Sequence, residues 1–255
     1  DALRVAPSST ATRPTGLPGA GAVKPAATGA LTDGEVKLLL RDYGVVVARV
    51  AEAATPEAAA EVAAGIGFPV VLKAVSPDIV HKSDVGGVRL GLDSPAAVAT
   101  AAHAMVSALA RSAPRARLEG FSVQETVHGE AEVIIGARRD PLFGPVVLVG
   151  LGGIAVEILK DVTLAPAPVS AARARSMIAS LAAAPLFTGA RGRPPLDVAA
   201  IVDAVVRISW LAADLGPRLV DFEVNPLIVR REGGGAVAVD GRGTLTNESN
   251  EEPRT

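Results

Sequence analysis

Val70-Val71-Leu72-Lys73, Ser76-Pro77 and His81-Lys82-Ser83-Asp84-Val85-Gly86-Gly87-Val88 place two cations, an imidazole and a glycine pair around one predicted loop. That set suits a polyphosphate. The apolar run ending at Lys73 reads as a strand, so its ammonium is carried by a rigid element. The chain has 25 basic residues, and five are lysines, at positions 24, 37, 73, 82 and 160. A lysine here, in a chain that otherwise favours arginine, points to a compact charge. A lysine snorkelling from the end of an edge strand fits the same residues.

Outward from this stretch, composition narrows the classes. With 255 residues, 49% hydrophobic content and a net charge of −2, the chain can bury one large core or two modest ones, with no bias toward nucleic acid. The absence of cysteine excludes disulfides, thiolate zinc sites and cysteine nucleophiles, and is compatible with a cytoplasmic setting. His81, His103 and His128 lack metal-motif spacing, which leaves carboxylate and amide oxygens as ligands for a hard cation such as Mg²⁺. The longest apolar run, 141–156, is interrupted by glycine and proline and falls short of the roughly 20 residues needed to cross a bilayer. Neither a membrane nor a nucleic-acid partner is expected, and 3% aromatic content argues against a base-stacking platform.

Residues 1–30, mostly Ala, Pro, Gly, Ser and Thr, read as a flexible linker or arm, with a transit peptide as the rival reading. Thr32-Asp33-Gly34-Glu35 is a capping-box pattern opening a helix through 37–43 that stops at Gly44. Thr55-Pro56 and Ser94-Pro95 each pair an N-cap with a first-turn proline, predicting helices over 56–65 and 95–111. Further helices are predicted near 171–183 and 198–214. Strands are predicted at 45–47, 121–125, 132–138, 145–149, 219–229 and 236–240, besides the one ending at Lys73. This is a mixed α/β or α+β chain.

Several constellations can carry chemistry. His81 lies in a loop with Lys82, Ser83 and Asp84 before the glycine pair; an imidazole there can accept a proton or a phosphoryl group, or simply hydrogen-bond the backbone. Gln124-Glu125-Thr126-Val127 ends one strand and Glu130-Ala131-Glu132 opens the next. Such a connection is either a hinge that meets a purine edge and ribose hydroxyls, or a polar hairpin turn. Glu223-Val224-Asn225-Pro226-Leu227 and Val237-Ala238-Val239-Asp240 set an acid, an amide and a second acid on neighbouring strands, Glu223 and Asn225 sharing a face. These suit a Mg²⁺ that bridges phosphates, or else an Asx turn and a capping Asp240. Gly150-Leu151-Gly152-Gly153-Ile154-Ala155 satisfies a dinucleotide fingerprint, but no acid lies between Asp161 and Asp197 to hold a ribose. No Walker A loop occurs either.

In order, VVLKAVSPDIVHKSDVGGV, VQETV, EVIIGARRDPLFGPVVLVGLGGIAVEILKD, GARG and EVNPL with AVD resemble the ATP-grasp β part of ADP-forming acyl-CoA (acetyl-CoA) synthetases and, more distantly, the succinyl-CoA synthetase β subunit. The resemblance covers residues 31–245. It implies an ATP-grasp domain over 31–246, with subdomains of about 45–125 and 126–246 clamping ATP or ADP, and a tail over 247–255. By the same resemblance Lys73, with the loop Lys82 and Ser83, would contact phosphates. Glu125 and Val127 would border adenine, Glu132 would hold ribose, and Asn225 and Asp240 would ligate Mg²⁺. His81 would relay a phosphoryl group, and Glu223 would steady a phosphohistidine brought by a CoA-binding α partner.

The implied reaction is acyl-CoA + ADP + phosphate ⇌ acid + CoA + ATP, performed by a hetero-oligomer or by a fused chain, with the small carboxylic acid handled by the partner. Many relatives have Asp-Ile-Asn-Pro-Leu where Glu223 to Leu227 stand here. No CoA-binding portion is found in these 255 residues, so the chain alone is expected not to complete the reaction. The competing readings are a nucleotide-binding assembly module without turnover and a stand-alone ATP-grasp carboxylate ligase.

Overall fold

The computed structural model describes residues 11–19, 28–79, 85–153, 161–189, 192 and 194–247. Two compact units emerge, one of residues 48–127 and the other of 1–47 with 128–255.

The smaller unit is a four-stranded antiparallel sheet, ordered β2 (Val50–Ala53), β5 (Gly120–Glu125), β3 (Val70–Val75), β4 (Val88–Leu92). Helices α2 (Pro56–Ile66) and α3 (Pro95–Ser112) pack together and against its strands. Both helices begin as their caps predict: Thr55 and Ser94 hydroxyls accept the amides of Ala58 and Ala97, and proline occupies the first turn. Ala59, Ala63, Val98, Ala102 and Met105 meet Val70, Leu72, Ala74, Phe121 and Val123 in a closed core. The small alanine side chains let the helices approach the sheet closely.

The larger unit is built on a sheet ordered β1 (Gly29–Ala30), β11 (Gly241–Leu245), β9 (Leu219–Val229), β6 (Ala131–Asp140), β7 (Gly144–Leu151), β8 (Val162–Pro166), with β10 (Ala236–Ala238) also on β9. Every pairing is antiparallel. Val133, Ile135 and Ala137 of β6, Val147 and Val149 of β7, and Phe222 and Val224 of β9 turn to one face of the sheet and are buried there. That face is covered by the long helix α6 (Val198–Leu215), whose Ile201, Val205, Ile208, Leu211 and Ala212 are essentially inaccessible. Helix α1 (Asp33–Asp42) packs near β11 and starts with the predicted capping box, in which Glu35 accepts the Thr32 amide at 2.8 Å and Thr32 accepts the Glu35 amide at 3.3 Å.

The differences from sequence expectation are instructive. Residues 45–47 form no strand but a single bridge, Val47 to Ala238; β2 begins three residues later. The expected helix over 171–183 ends at Ala179 (α4, Ala171–Ala179), because Asp161 takes the amides of Ala182 and Ala183 at 2.9 and 2.8 Å; a short α5 (Ala184–Phe187) follows. The strand expected over 236–240 stops at Ala238, and β11 starts at Gly241. Within 1–30, Gly29 and Ala30 pair with β11, and Arg13 reaches α6, donating from both terminal nitrogens to Asp214.

Candidate nucleotide and metal site

Lys73 sits on β3, which is hydrogen-bonded on both sides, to β5 and to β4. The edge-strand reading is thereby removed. Leu72 and Ala74 point into the core, so alternation turns Lys73 to the opposite face, beside Ser122 in register and 3.5 Å from Gln124 Oε1. Gln124 is itself 1% exposed, an uncommon burial for an amide.

His81, Lys82 and Ser83 lie outside the described residues. The segment that carries them joins β3 to β4, and its flanks are tied. Asp78 accepts the Arg117 amide at 2.7 Å, and the Arg89 guanidinium donates to the carbonyls of Gly86 and Val88 at 3.0 and 2.9 Å.

At the end of β5 the Glu125 carboxylate is engaged within its own unit, accepting the Arg49 amide and the Arg49 guanidinium, both at 2.8 Å. The backbone around Thr126 is held too, its amide donating to the Pro69 carbonyl at 3.1 Å. Val127, half-buried, ends the smaller unit. The hairpin alternative fails because β5 and β6 belong to different sheets.

Glu132 lies exposed near the start of β6. The glycine motif that failed as a dinucleotide fingerprint has a structural use here. Gly152 donates its amide to the Glu132 carbonyl at 2.7 Å, and a Cβ on Gly152 would stand 2.8 Å from the Glu132 carbonyl carbon. Gly153 adopts φ +68°, and a Cβ there would stand 2.7 Å from Glu132 Oε2. A side chain at Gly152 would meet the Glu132 backbone, and the left-handed backbone at Gly153 favours glycine.

Glu223, Asn225 and Asp240 come together, with a fourth residue that sequence reading missed. β9 and β11 bring Glu223-Val224-Asn225 antiparallel to Asp240-Gly241-Arg242: Gly241 is in register with Val224, Arg242 with Glu223, and the Asn225 amide donates to the Asp240 carbonyl at 3.1 Å. Val224 is wholly buried, so its neighbours Glu223 and Asn225 turn to the face away from α6. Asp240 Oδ1 accepts the Gly241 amide at 3.0 Å, and Arg242 donates to Glu223 Oε2 at 3.0 Å. Among the described residues no group of three or more His, Cys, Asp or Glu side chains is placed to hold a metal by itself. One carboxylate and one amide oxygen on adjoining strand ends instead fit a magnesium ion that takes its remaining ligands from phosphates and water.

Two α+β units, one presenting a strand-borne lysine and the other a paired acid and amide, define a nucleotide-binding protein of the ATP-grasp class. The sequence matches the family described as ATP-grasp domain over residues 22–245, and the chain belongs to that family. It is 39% identical over 213 residues to the acetate–CoA ligase (ADP-forming) II subunit beta of Pyrococcus furiosus, covering 84% of this chain and 90% of that one. It is 41% identical over 210 residues to acetate–CoA ligase (ADP-forming) I of Archaeoglobus fulgidus, covering 82% of this chain but 30% of that longer protein. A solved structure of the Ca. Korarchaeum cryptofilum dinucleotide forming acetyl-coenzyme A synthetase 1 matches with TM-score 0.74 at 38% identity, covering 85% of this chain and 93% of that one. It contains coenzyme A and Mg-AMPPCP, with a phosphohistidine segment pointing towards the nucleotide binding site. This chain corresponds to the ATP-grasp, or β, part of such ADP-forming acyl-CoA ligases. No helix among the described residues is long and apolar enough to cross a membrane.

Proposed function

We propose that this chain handles the nucleotide in the reaction acyl-CoA + ADP + phosphate ⇌ acid + CoA + ATP, with a CoA-binding α partner supplying the acyl chemistry. The observation that supports this is the facing pair of tripeptides Glu223-Val224-Asn225 and Asp240-Gly241-Arg242, which brings Asn225 and Asp240 to adjoining strand ends beside an acid and its counter-ion. Lys73 meets the nucleotide phosphates, main-chain groups at Glu125 and Val127 border the adenine, and Glu132 accepts from the ribose hydroxyls. Asn225 and Asp240 hold Mg²⁺, which when bound offsets the charge of the phosphates. His81 carries the phosphoryl group between the partner's phosphohistidine and ADP, with Lys82 and Ser83 beside it. Glu223 steadies the visiting imidazole. A relay of this kind keeps a labile phosphoryl group out of water over a distance it cannot cross alone.

The test is a calorimetric titration of the chain with ADP, with and without Mg²⁺, alongside Lys73→Ala. Saturable, magnesium-dependent binding that Lys73→Ala weakens by about tenfold or more is expected; a chain that binds no Mg-ADP overturns the reading. With the α partner added, His81→Ala is expected to keep Mg-ADP affinity within a few-fold and to form no ATP. Undiminished ATP formation by that variant removes the relay.

A further inference from the structure

Arg242 has no role in the reading above beyond its contact with Glu223, yet its placement is specific. Gly241, beside it, cannot carry a side chain: a Cβ there would lie 2.6 Å from Val36 Cγ1 and 3.1 Å from the Glu223 carbonyl oxygen. The backbone that presents Arg242 is thus packed directly against α1 and β9. On its other side Glu223 is in register with Gly136 of β6, which has no side chain to offer the carboxylate. Among the described residues the guanidinium is its ion-pair partner, through one N–H at 3.0 Å.

Stability does not account for this pair. The Arg242 side chain is 74% exposed and that of Glu223 25%, and ion pairs so placed contribute at most about 1 kcal/mol. A guanidinium carries five N–H donors in a fixed planar fork, and the contact with Glu223 uses one. The exposed remainder projects from the same strand end as Asp240, two residues earlier. Acid and guanidinium side by side present an acceptor next to a fork of donors. A phosphorylated imidazole in its protonated form presents the complement, one ring N–H and a set of phosphoryl oxygens.

We propose that Glu223 and Arg242 together form the receptor for a phosphorylated imidazole, Glu223 accepting the ring N–H and Arg242 donating its remaining N–H groups to the phosphoryl oxygens. This rests on the reading of the chain as a partner in phosphohistidine transfer, and it adds Arg242 as the residue that recognises the phosphoryl end.

The experiment uses the full chain loaded with Mg-AMPPCP, to which no phosphoryl group can be passed, and titrates phosphoimidazole as the probe, followed by ³¹P NMR. Mg-AMPPCP affinity is measured separately by calorimetry. Arg242→Gln is expected to weaken the probe about tenfold while leaving nucleotide affinity within about twofold, and Arg242→Lys to recover part of the loss. Arg242→Gln binding the probe as wild type does, or losing probe and nucleotide in equal proportion, overturns the assignment. So does a wild-type chain that binds Mg-AMPPCP but not phosphoimidazole. A wild-type chain that binds neither overturns the proposed function itself.

Discussion

Tyr43 is the chain's one tyrosine, and its hydroxyl donates to Asp214, the same carboxylate that Arg13 grips. Burial, and then the bond to Asp214, push the phenol well above its ordinary range. Because the folded protein prefers the neutral phenol, this contribution to stability is complete below about pH 10, where an unfolded tyrosine titrates. It is lost as pH rises from there through the raised folded value. Tyrosinate absorbance should therefore stay absent from the folded chain at a pH that half-ionises free tyrosine, and Tyr43→Phe should flatten the alkaline fall in stability. An ordinary titration in a chain still folded by circular dichroism would refute this. At this scale Lys73 was legible in sequence, since an apolar run ending in lysine is a local pattern. Arg242 was not, because a cation two residues beyond an aspartate has no meaning until β11 is laid against β9.

Among the elements, helices were read well because their caps are local: Thr32, Thr55 and Ser94 each bond within three residues of themselves. The strands missed in sequence were GA, VAEA, VRLGL, VTLAP and GRGTL, now β1, β2, β4, β8 and β11. They are short, and several contain glycine or proline; four lie at sheet edges, and a partner strand supplies the order that their own propensity lacks. The turn after β7 gives a prediction at this scale. Gly153→Ala should cost about 1 kcal/mol for the left-handed backbone and should also displace Glu132. Gly233→Ala, at φ +76° with open space around it, pays the backbone cost alone. Denaturant unfolding should therefore show similar losses in both variants, while calorimetry shows weakened Mg-ADP binding only for Gly153→Ala. Equal nucleotide affinities would mean that Glu132 does not touch the ribose.

For the molecule as a whole, each unit closes its own hydrophobic core, and the amino-terminal stretch belongs with the carboxy-terminal unit. Arg13 lies in a segment with no periodicity to announce it. It nonetheless pairs with Asp214, whose side chain is 7% exposed, and its guanidinium rests 4.9 Å above the ring of Trp210. Arg13→Ala removes the counter-ion of a buried carboxylate that still accepts from Tyr43, and should cost about 2 kcal/mol, roughly what a lost charge-assisted bond in such a place is worth. Trp210 is the chain's one tryptophan, so its fluorescence reports the contact directly. A changed emission with unchanged unfolding midpoint would limit the contact to local packing; neither changing would show that the arm does not dock there.

What the sequence by itself determined were the helices, the long central strands, the strand that carries Lys73 and the resemblance to the ATP-grasp family. These rest on caps, alternation and motif spacing, interactions that reach only a few residues along the chain. Tertiary structure alone decided that Glu223 faces Arg242 across 19 residues, that Asp214 holds Arg13 across 201, and that a glycine motif shaped like a dinucleotide fingerprint makes room for Glu132. Those pairings follow from sheet order and register, which are selected by the burial of whole strand faces against α6 and leave no periodic trace in any single segment.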